Sequence, residues 1–480
     1  MIDHGHKSTD ALLAMIRDGK SMSLRQQLRL TALLSFPAII AQLSSIAMQY
    51  IDASMVGSLG ANASASIGLV STTTWLFWGV MSAASTGFSV QVAHLIGAGD
   101  FVKARRVLSQ SFTAMLLFSA ILATIGIIIS TPLPSWLRGH ESIHHESSRY
   151  FLIFSLFLPA LQLSFLAGSM LRCSGNMRIP SMLNVLMCIL DVIFNFILIF
   201  PTRTLSIFGN PITIWGAGLG VEGAALGTVL AETIVAILMV WYLTVRSPML
   251  HIFGESGSFR VHLDTLRQAV NIGLPMGLEH MAICSAQILI TVIVAPLGVV
   301  AIAANAFAII AESLCYMPGY GIAEASTTLA GQSLGAGRIG LLRRFGNITA
   351  LSGMVVMGIM GVALYAFAPQ IISVMSPVAD IRALGSSILR IEAWAEPMFA
   401  AAIVAYGFFV GIGRTILPSA MNLISIWGVR LTLAAILAPS MGLKGVWLAM
   451  CIELCFRGAV FLTLLWHPTL MYKNLKQKTS

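Results

Sequence analysis

Twelve long hydrophobic stretches limit what this chain can fold into more than any other feature of its sequence. Each spans roughly 20 to 29 residues, enough to cross a hydrocarbon core of about 30 Å as a helix. They cover approximately residues 30–56, 66–92, 108–131, 150–171, 182–201, 218–243, 268–294, 300–328, 346–368, 391–411, 419–438 and 445–466. Of the 480 residues, 57% are apolar and only 10% are charged, too few to cover a water-facing surface. Membrane barrels are built from short alternating strands, so the sequence predicts an all-α membrane protein with twelve transmembrane helices.

The basic residues divide by membrane side. Most of the 28 Lys and Arg residues lie at the two termini or in connections after even-numbered spans. Examples are Arg25, Arg29, Lys103, Arg105, Arg106, Arg178, Arg343, Arg344 and Arg414. The positive-inside rule therefore predicts that both termini lie in the cytoplasm. We expect the chain in a bacterial inner membrane. The first hydrophobic run is too long for a signal-peptide core, so we expect it to remain as the first span. This distribution explains the net charge of +9 without nucleic acid as a partner.

The chain contains an internal repeat. Pro37 matches Pro275, an offset of 275 − 37 = 238. The same offset pairs Gly97-Ala98-Gly99 with Gly335-Ala336-Gly337 and Asn184 with Asn422. After the fifth span the offset falls to 445 − 223 = 222, which predicts an insertion of about 16 residues near 202–217 in an extracytoplasmic loop.

The repeat predicts two homologous six-helix lobes. Because six spans return the chain to the same side, the lobes are expected to be related by a pseudo-two-fold axis along the membrane normal. We place the N-lobe at residues 1–250, with a cytoplasmic N-terminal segment, and the C-lobe at residues 251–480, with a cytoplasmic tail. The polar stretch between Arg246 and Leu263, which contains Gly254, Glu255 and Gly257, is the predicted linker.

Comparison of the two repeats exposes a chemical asymmetry. Four oxygen-bearing residues in three N-lobe spans have apolar partners in the C-lobe. The pairs are Asp52 with Ile290, Asp191 with Val429, Asn195 with Leu433 and Thr228 with Met450. Asp191 and Asn195 are four residues apart and share one helical face. A carboxylate in mid-membrane costs at least about 2.5–3.5 kcal/mol, so such residues are seldom incidental.

Two interpretations of these four residues remain open. Carboxylate, amide and hydroxyl oxygens bind hard cations, so the group is predicted to bind a coupling H⁺ or Na⁺. The alternative is a structural hydrogen-bond network that holds helices together. Apart from that coupling ion, the sequence predicts no metal and no cofactor.

Several other residues are candidates for the wall of a substrate cavity. Glu279 and Arg430 are charged and lie within C-lobe spans, as do Glu312, Glu324, Glu392, Glu396 and Glu453. A buried Arg–Glu pair is the structural alternative for these. Methionines and aromatic side chains suit a broad, repackable cavity. The candidates of this kind are Met48, Tyr50, Trp75, Trp78 and Phe408.

Some motifs are better explained structurally. The glycines at 218, 220 and 223 match a dinucleotide fingerprint but open a membrane helix, and Gly19-Lys20-Ser21 lacks the first glycine of a phosphate-binding loop. The histidines at 140, 144 and 145 are expected in a solvated loop. The six cysteines lie in or beside apolar spans and are expected to be packing residues.

The chain resembles the multidrug and toxic compound extrusion family across essentially all twelve spans. The resemblance rests on Pro37 followed by Ile51-Asp52, the glycine turns at 97–99 and 335–337, the 171–180 and 411–418 turns, and Gly223 to Thr228. It implies an antiporter of hydrophobic cations driven by H⁺ or Na⁺, with Asp52 at the family's acidic position. In the fifth span the family tends to carry Asn and then Asp, whereas this chain has Asp191 and then Asn195. Some branches use an acid in the seventh span, near Glu279.

The predicted function is secondary active multidrug efflux by alternating access. Cytoplasmic organic cations or hydrophobic drugs would leave in exchange for H⁺ or Na⁺, and the partners are these small molecules and the lipid bilayer. We expect a monomer. The alternative is a flippase for lipid-linked precursors or polysaccharides of the same superfamily. Signatures of a membrane-embedded enzyme or of a passive channel are not found in the spans.

Overall fold

The computed structural model describes residues 2–207, 210–252 and 259–467. Within them, ten continuous helices are long and apolar enough to cross a membrane, and two further helix pairs each form one bent span, which gives twelve. The prediction of an all-α membrane protein with twelve spans in two lobes is confirmed. Residues 253–258 of the predicted linker and the tail after residue 467 lie outside the described residues, and the lobe boundary at residue 250 stays a prediction.

The N-lobe follows a short amphipathic helix, α1 (Ile2–Arg17), that precedes the first span. Its spans and connecting helices are α2 (Leu24–Gly57), α3 (Ala61–Gly97), α4 (Phe101–Ser130), α5 (Leu133–Trp136), α6 (Glu141–Leu156), α7 (Leu158–Cys173), α8 (Arg178–Leu198) and α9 (Gly220–Trp241), which continues as a π-helical turn, Tyr242–Arg246. Ser23 starts the first span with a capping box, in which its hydroxyl accepts from the Gln26 N–H and the Gln26 side chain accepts from the Ser23 N–H.

The C-lobe repeats this order. Its helices are α10 (Leu263–Val294), α11 (Val299–Gly335), α12 (Ile339–Met375), α13 (Ala379–Glu392), α14 (Glu396–Gly411), α15 (Ile416–Ile424), α16 (Thr432–Met441) and α17 (Leu443–Trp466). A π-helical stretch, Ser425–Leu431, joins α15 to α16 into one span.

The fourth span of each lobe is bent at the same place. The bend is 51° between α6 and α7 and 57° between α13 and α14. Pro159 and Pro397, which the repeat pairs, stand in the first turn of the second half-helix in each case. Proline suits that position because its missing N–H would have no intrahelical partner there. Both repeats therefore contain the proline that accompanies the bend.

The inserted segment of the first repeat is more ordered than a simple loop. It forms an antiparallel hairpin of β1 (Pro201–Ile207) and β2 (Asn210–Ala217), with Arg203 opposite Ile214. The Arg203 guanidinium stacks over the rings of Phe196 and Phe200, with its central carbon 4.2 and 4.1 Å from the ring centroids. These cation–π contacts attach the hairpin to the end of α8.

The lobes meet through a reciprocal glycine contact. A Cβ added to Gly97 would collide with the backbone of Gln332, and one added to Gly335 would collide with the backbone of His94. These two contacts are repeat equivalents, because His94 matches Gln332 and Gly97 matches Gly335 at the same offset. Reciprocal contacts of this kind are what a two-fold relation produces. The predicted pseudo-two-fold axis therefore passes between α3 and α11.

Candidate functional site

The four oxygen-bearing residues of the N-lobe lie together. Asn195 on α8 donates from Nδ2 to Asp52 Oδ1 on α2 at 2.9 Å and to Asp191 Oδ2 at 3.2 Å. The Asp52 and Asp191 carboxyls lie close to each other, and Thr228 lies close to Asp191, although the Thr228 hydroxyl itself donates to the Ala224 carbonyl at 3.2 Å. Three helices thus bring two carboxyls, an amide and a hydroxyl to one point, named below the N-lobe polar site.

Burial limits what the N-lobe polar site can contain. Asp191 is fully buried and Asn195 nearly so, whereas Asp52 is half-buried. Among the described residues, Asp191 Oδ1 and Asn195 Oδ1 are buried without a hydrogen-bond partner. Two carboxylates and two unpartnered oxygens in low dielectric require a compensating positive charge. The carboxyl, amide and hydroxyl oxygens suit a proton shared between the carboxyls or a small hard cation.

Glycines on α9 allow this convergence. Asn195 Oδ1 occupies the space where a side chain on Gly227 would stand, and a Cβ on Gly223 would collide with the backbone at Leu198. Small residues one turn apart let two membrane helices approach closely enough for polar contacts. The Gly223–Gly227 pair therefore holds α9 against α8 and completes the site.

One buried carboxyl of the N-lobe is not among the residues predicted from the sequence. Glu232 is 7% exposed and lies one turn after Thr228 on α9, within hydrogen-bonding reach of Ser164. Its repeat partner at the 222 offset is Leu454. The same comparison that selected Asp52 and Asp191 would have found it.

A cavity of about 500 Å³ lies between the lobes and is named below the central cavity. Its aromatic lining is Trp75, Trp78, Phe165, Tyr320, Phe399 and Tyr406. Its lining also includes the ionisable side chains Arg172, Glu279, His280, Glu324 and Arg457. The predicted cavity residues Trp75, Trp78 and Glu279 are thus among the lining residues. A space of this size suits a drug-sized molecule, since such ligands occupy pockets of about 300–1,000 Å³.

Glu279 is held rigidly in the central cavity. It lies on α10, one turn after Pro275, and accepts hydrogen bonds of 2.5 Å each from the Tyr406 hydroxyl and from Asn422 Nδ2. Two neutral donors orient the carboxylate without neutralising it. Glu279 can therefore bind the cationic group of a ligand by a charge-assisted hydrogen bond.

Four predicted cavity residues lie elsewhere. Met48 is packed in the N-lobe core with Phe88, and Phe408 is packed in a C-lobe apolar cluster with Phe461. Tyr50 does not line the central cavity, and Arg430 lines a separate C-lobe cavity. Their assignment to the substrate cavity is corrected. These spans are apolar on all sides, so periodicity could not tell which face meets the cavity.

Two equivalent hydrogen bonds close one end of the central cavity. His94 Nε2 donates to the Gly411 carbonyl at 2.8 Å, and Gln332 Nε2 donates to the Cys173 carbonyl at 2.9 Å. Donors and acceptors are both repeat partners, so each lobe's second span is bound to the end of the other lobe's fourth span. The closed end is the one predicted to be cytoplasmic.

The remaining motifs have structural roles. His140 caps α6 by accepting from the Ser142 N–H, and the His144 ring hydrogen-bonds to the Gly139 carbonyl. Gly218 and Gly220 adopt positive φ where the chain turns into α9. Within the described part of the chain, the cysteines are free and His, Cys, Asp and Glu form no group of three suited to a metal ion.

Comparison with known proteins agrees with this arrangement. The MatE family model matches residues 37–197 and 275–436, more than half of the chain. The chain belongs to the MatE family. The two matched segments begin at Pro37 and Pro275, the residues paired by the repeat. The predicted family is therefore confirmed, and this MatE chain is a membrane transporter, not an enzyme.

Relatives of this MatE chain span its whole architecture. "Probable multidrug resistance protein NorM" of Thermotoga maritima is 25% identical over 434 residues, which cover 89% of each chain. A solved MATE structure in complex with MaL6 superposes with a TM-score of 0.86 at 18% identity, covering 94% of this chain and 97% of that one. A mutant of the Vibrio cholerae MATE transporter VcmN gives 0.84 at 18% identity, covering 98% and 99%. The two structures share the fold of this chain.

Proposed function

We propose that the protein exports cytoplasmic organic cations and hydrophobic drugs in exchange for H⁺ or Na⁺. The observation that carries the proposal is the N-lobe polar site, where two carboxyls and unpartnered buried oxygens converge inside the membrane-spanning part of the chain. Such a site needs an exchangeable cation to be stable in the membrane. The names of the multidrug relatives support the substrate class.

The N-lobe polar site binds the coupling ion, and the central cavity binds the drug. In the outward-facing state H⁺ or Na⁺ enters at Asp52, which is half-buried, and is held between Asp52 and Asp191. Return to the inward-facing state requires the hydrogen bonds of His94 and Gln332 to break. One elementary charge moving through 100 mV supplies about 2.3 kcal/mol, a bias of roughly 50-fold before any pH gradient. No cofactor beyond the coupling ion is needed.

The size and chemistry of the central cavity favour drugs over lipid-linked sugars. Its volume of about 500 Å³ suits a single aromatic molecule. Trp75 and Trp78 offer ring faces, and Glu279 offers a fixed negative charge for a cation. We therefore propose drug efflux rather than precursor flipping. The proposal also includes a monomer in the bacterial inner membrane with both termini in the cytoplasm.

Transport by reconstituted vesicles tests this function. Purified protein in liposomes is given ethidium, and a pH gradient and a Na⁺ gradient are imposed one at a time, without ATP. We expect ethidium movement under at least one gradient and its arrest when that gradient is collapsed. Movement that continues at the same rate with neither gradient would exclude antiport.

A further inference from the structure

A groove of about 820 Å³ lies between α1, α2 and α8 and is named below the lateral groove. Thr9 and Asp10 of α1, residues 29–40 of α2 and residues 175–185 at the start of α8 contribute its lining. None of these residues lines the central cavity. Two of its apolar side chains, Phe36 and Met182, are 66% and 57% exposed. Apolar side chains this exposed on membrane-spanning helices face lipid, so the lateral groove opens toward the bilayer.

Both arginines of the lateral groove stand at the same end. The two helices α2 and α8 form the first and fifth spans, which cross the membrane in the same direction. Arg29 lies near the start of α2, and Arg178 is the first residue of α8. Asp10 and Asn176 also line the groove, near this end. The charged end is therefore the one predicted to be cytoplasmic.

The rest of the lateral groove is apolar. Its apolar part is lined by Phe36, Pro37, Ile40, Met182 and Val185. From Arg29 to Ile40 is 40 − 29 = 11 residues, which as a helix at about 1.5 Å per residue extend roughly 16 Å. This length is close to half of a hydrocarbon core of about 30 Å. The lateral groove thus has the length of one leaflet, with a charged end and an apolar body, as a phospholipid has.

The charge at the polar end suits an anionic head group. The lining holds two guanidiniums and one carboxylate, that of Asp10, so it has one more positive charge than negative charges. Arg25, which is exposed, lies one turn before Arg29 on the same helix. Guanidiniums bind phosphate oxygens through paired hydrogen bonds. Basic pockets between membrane helices on the cytoplasmic side are suited to anionic lipids for this reason.

We propose that the lateral groove binds one anionic phospholipid of the leaflet at its charged end. The lipid phosphate lies between Arg29 and Arg178, and an acyl chain runs along α2 and α8 beside Phe36 and Met182. The bound lipid connects α1 to the two helices that bear Asp52 and Asp191, and so stabilises the N-lobe. This inference is independent of the proposed efflux function.

Two lipids with the same acyl chains test the site. Full-length protein is delipidated in detergent and titrated with phosphatidylglycerol, which is anionic, or with phosphatidylcholine, which has no net charge. Native mass spectrometry measures the occupancy of the first bound lipid. Wild type is expected to bind phosphatidylglycerol about tenfold more tightly and to unfold at a higher temperature with it than with phosphatidylcholine, because ligand binding stabilises the folded state.

The charged end is tested by substitutions of exposed arginines. R29Q is expected to weaken phosphatidylglycerol binding about five- to tenfold and to change phosphatidylcholine binding by less than twofold. R29K keeps the charge and should retain most of the preference. The matched control is R267Q, which alters the exposed repeat partner of Arg29 outside the lateral groove and should change neither lipid's binding by more than twofold.

The apolar body is tested separately. M182W fills part of the lateral groove and is expected to weaken both lipids by a similar factor. Glycerol phosphate, which has the phosphate without acyl chains, should not displace phosphatidylglycerol from wild type. Full displacement by glycerol phosphate would show a simple anion site and overturn the lipid assignment. Equal affinity of wild type for the two lipids, equal losses in R29Q and R267Q, or unchanged binding in M182W would also overturn it.

Discussion

The two lobes share a scaffold but place their buried charges at different repeat positions. The N-lobe has Asp52 and Asp191 where the C-lobe has Ile290 and Val429. Conversely, the C-lobe positions Glu279, Glu396 and Arg457 correspond to Ala41, Leu158 and Val235. Glycine contacts, proline bends and the reciprocal hydrogen bonds are common to both lobes. Duplication therefore supplied the shared helix contacts, bends and hydrogen bonds. Separate substitutions then gave each lobe its own buried charges.

The fourth spans illustrate the difference at one site. At the bend of the N-lobe span, Phe154 packs edge-on against Phe77 with ring centroids 6.5 Å apart. At the equivalent bend of the C-lobe span, Glu392 and Glu396 are fully buried, and all four carboxyl oxygens lack hydrogen-bond partners within the described residues. The aromatic bend needs no compensating group, whereas two buried carboxyls without hydrogen-bond partners destabilise the span unless a proton or a positive charge compensates them.

The largest expected effect comes from neutralising the N-lobe polar site. D191N should reduce gradient-driven drug transport by at least 100-fold, because the amide cannot take up a proton or replace the charge that holds Na⁺. D52N should do the same. E222Q, which alters a half-exposed carboxylate of the same lobe beside Arg149, serves as the control. Vesicle transport under each gradient gives the readout. Retained coupling in both aspartate variants would mean that the N-lobe group is only a structural network.

The next effect concerns the C-lobe carboxylate that faces the central cavity. E279Q should weaken binding of a cationic dye by about tenfold, equivalent to about 1.4 kcal/mol, because one charge-assisted contact is lost. Binding is measured by dye fluorescence in nanodiscs. A neutral dye of similar size provides the control and should bind as before. If both dyes weaken together, Glu279 maintains the cavity shape rather than recognising charge.

A smaller effect is expected from the helix contact that builds the N-lobe polar site. G227A places a methyl group against Asn195 Oδ1, and overpacking of this kind costs about 1–3 kcal/mol. The C-lobe has Ala449 at the equivalent position, where no polar site must form. G340A is the control, since a Cβ there meets nothing within 4 Å. Thermal unfolding in detergent is the measurement. Equal midpoints for the two variants would contradict the proposed role of Gly227.

The smallest effect compares the two bonds that close the cavity. H94Q copies the donor that Gln332 provides in the other lobe and should leave transport within about twofold of wild type. H94L removes the donor and leaves the Gly411 carbonyl unpaired, which should favour opening of that end by roughly three- to tenfold. Accessibility of Cys173 to a thiol reagent from that side reports opening. Identical labelling of both variants would remove this bond from the gate.

The features that could be predicted from the sequence are those in which residues of the two repeats match or differ in chemistry. Lipid solvation fixed the twelve spans, and the asymmetry between repeats singled out Asp52 and Asp191, which the structure brings into contact with Asn195. Glu232 could have been found by the same comparison. The hairpin could not, since two short strands at a membrane edge leave little pattern, and Met48 and Phe408 were misassigned because membrane helices are apolar all round.

The sequence by itself determined the membrane solvent, the number of spans, the duplication and the lobe that contains the aspartates. These follow from properties carried by each residue or by its distance along the chain. Only the tertiary structure decided which side chains face the central cavity, which end is closed, and that Arg29 and Arg178 line one groove. Those features depend on the rotational orientation in which helices far apart in sequence pack together. Hydrophobic periodicity cannot reveal that orientation, because the lipid and the protein core are both apolar.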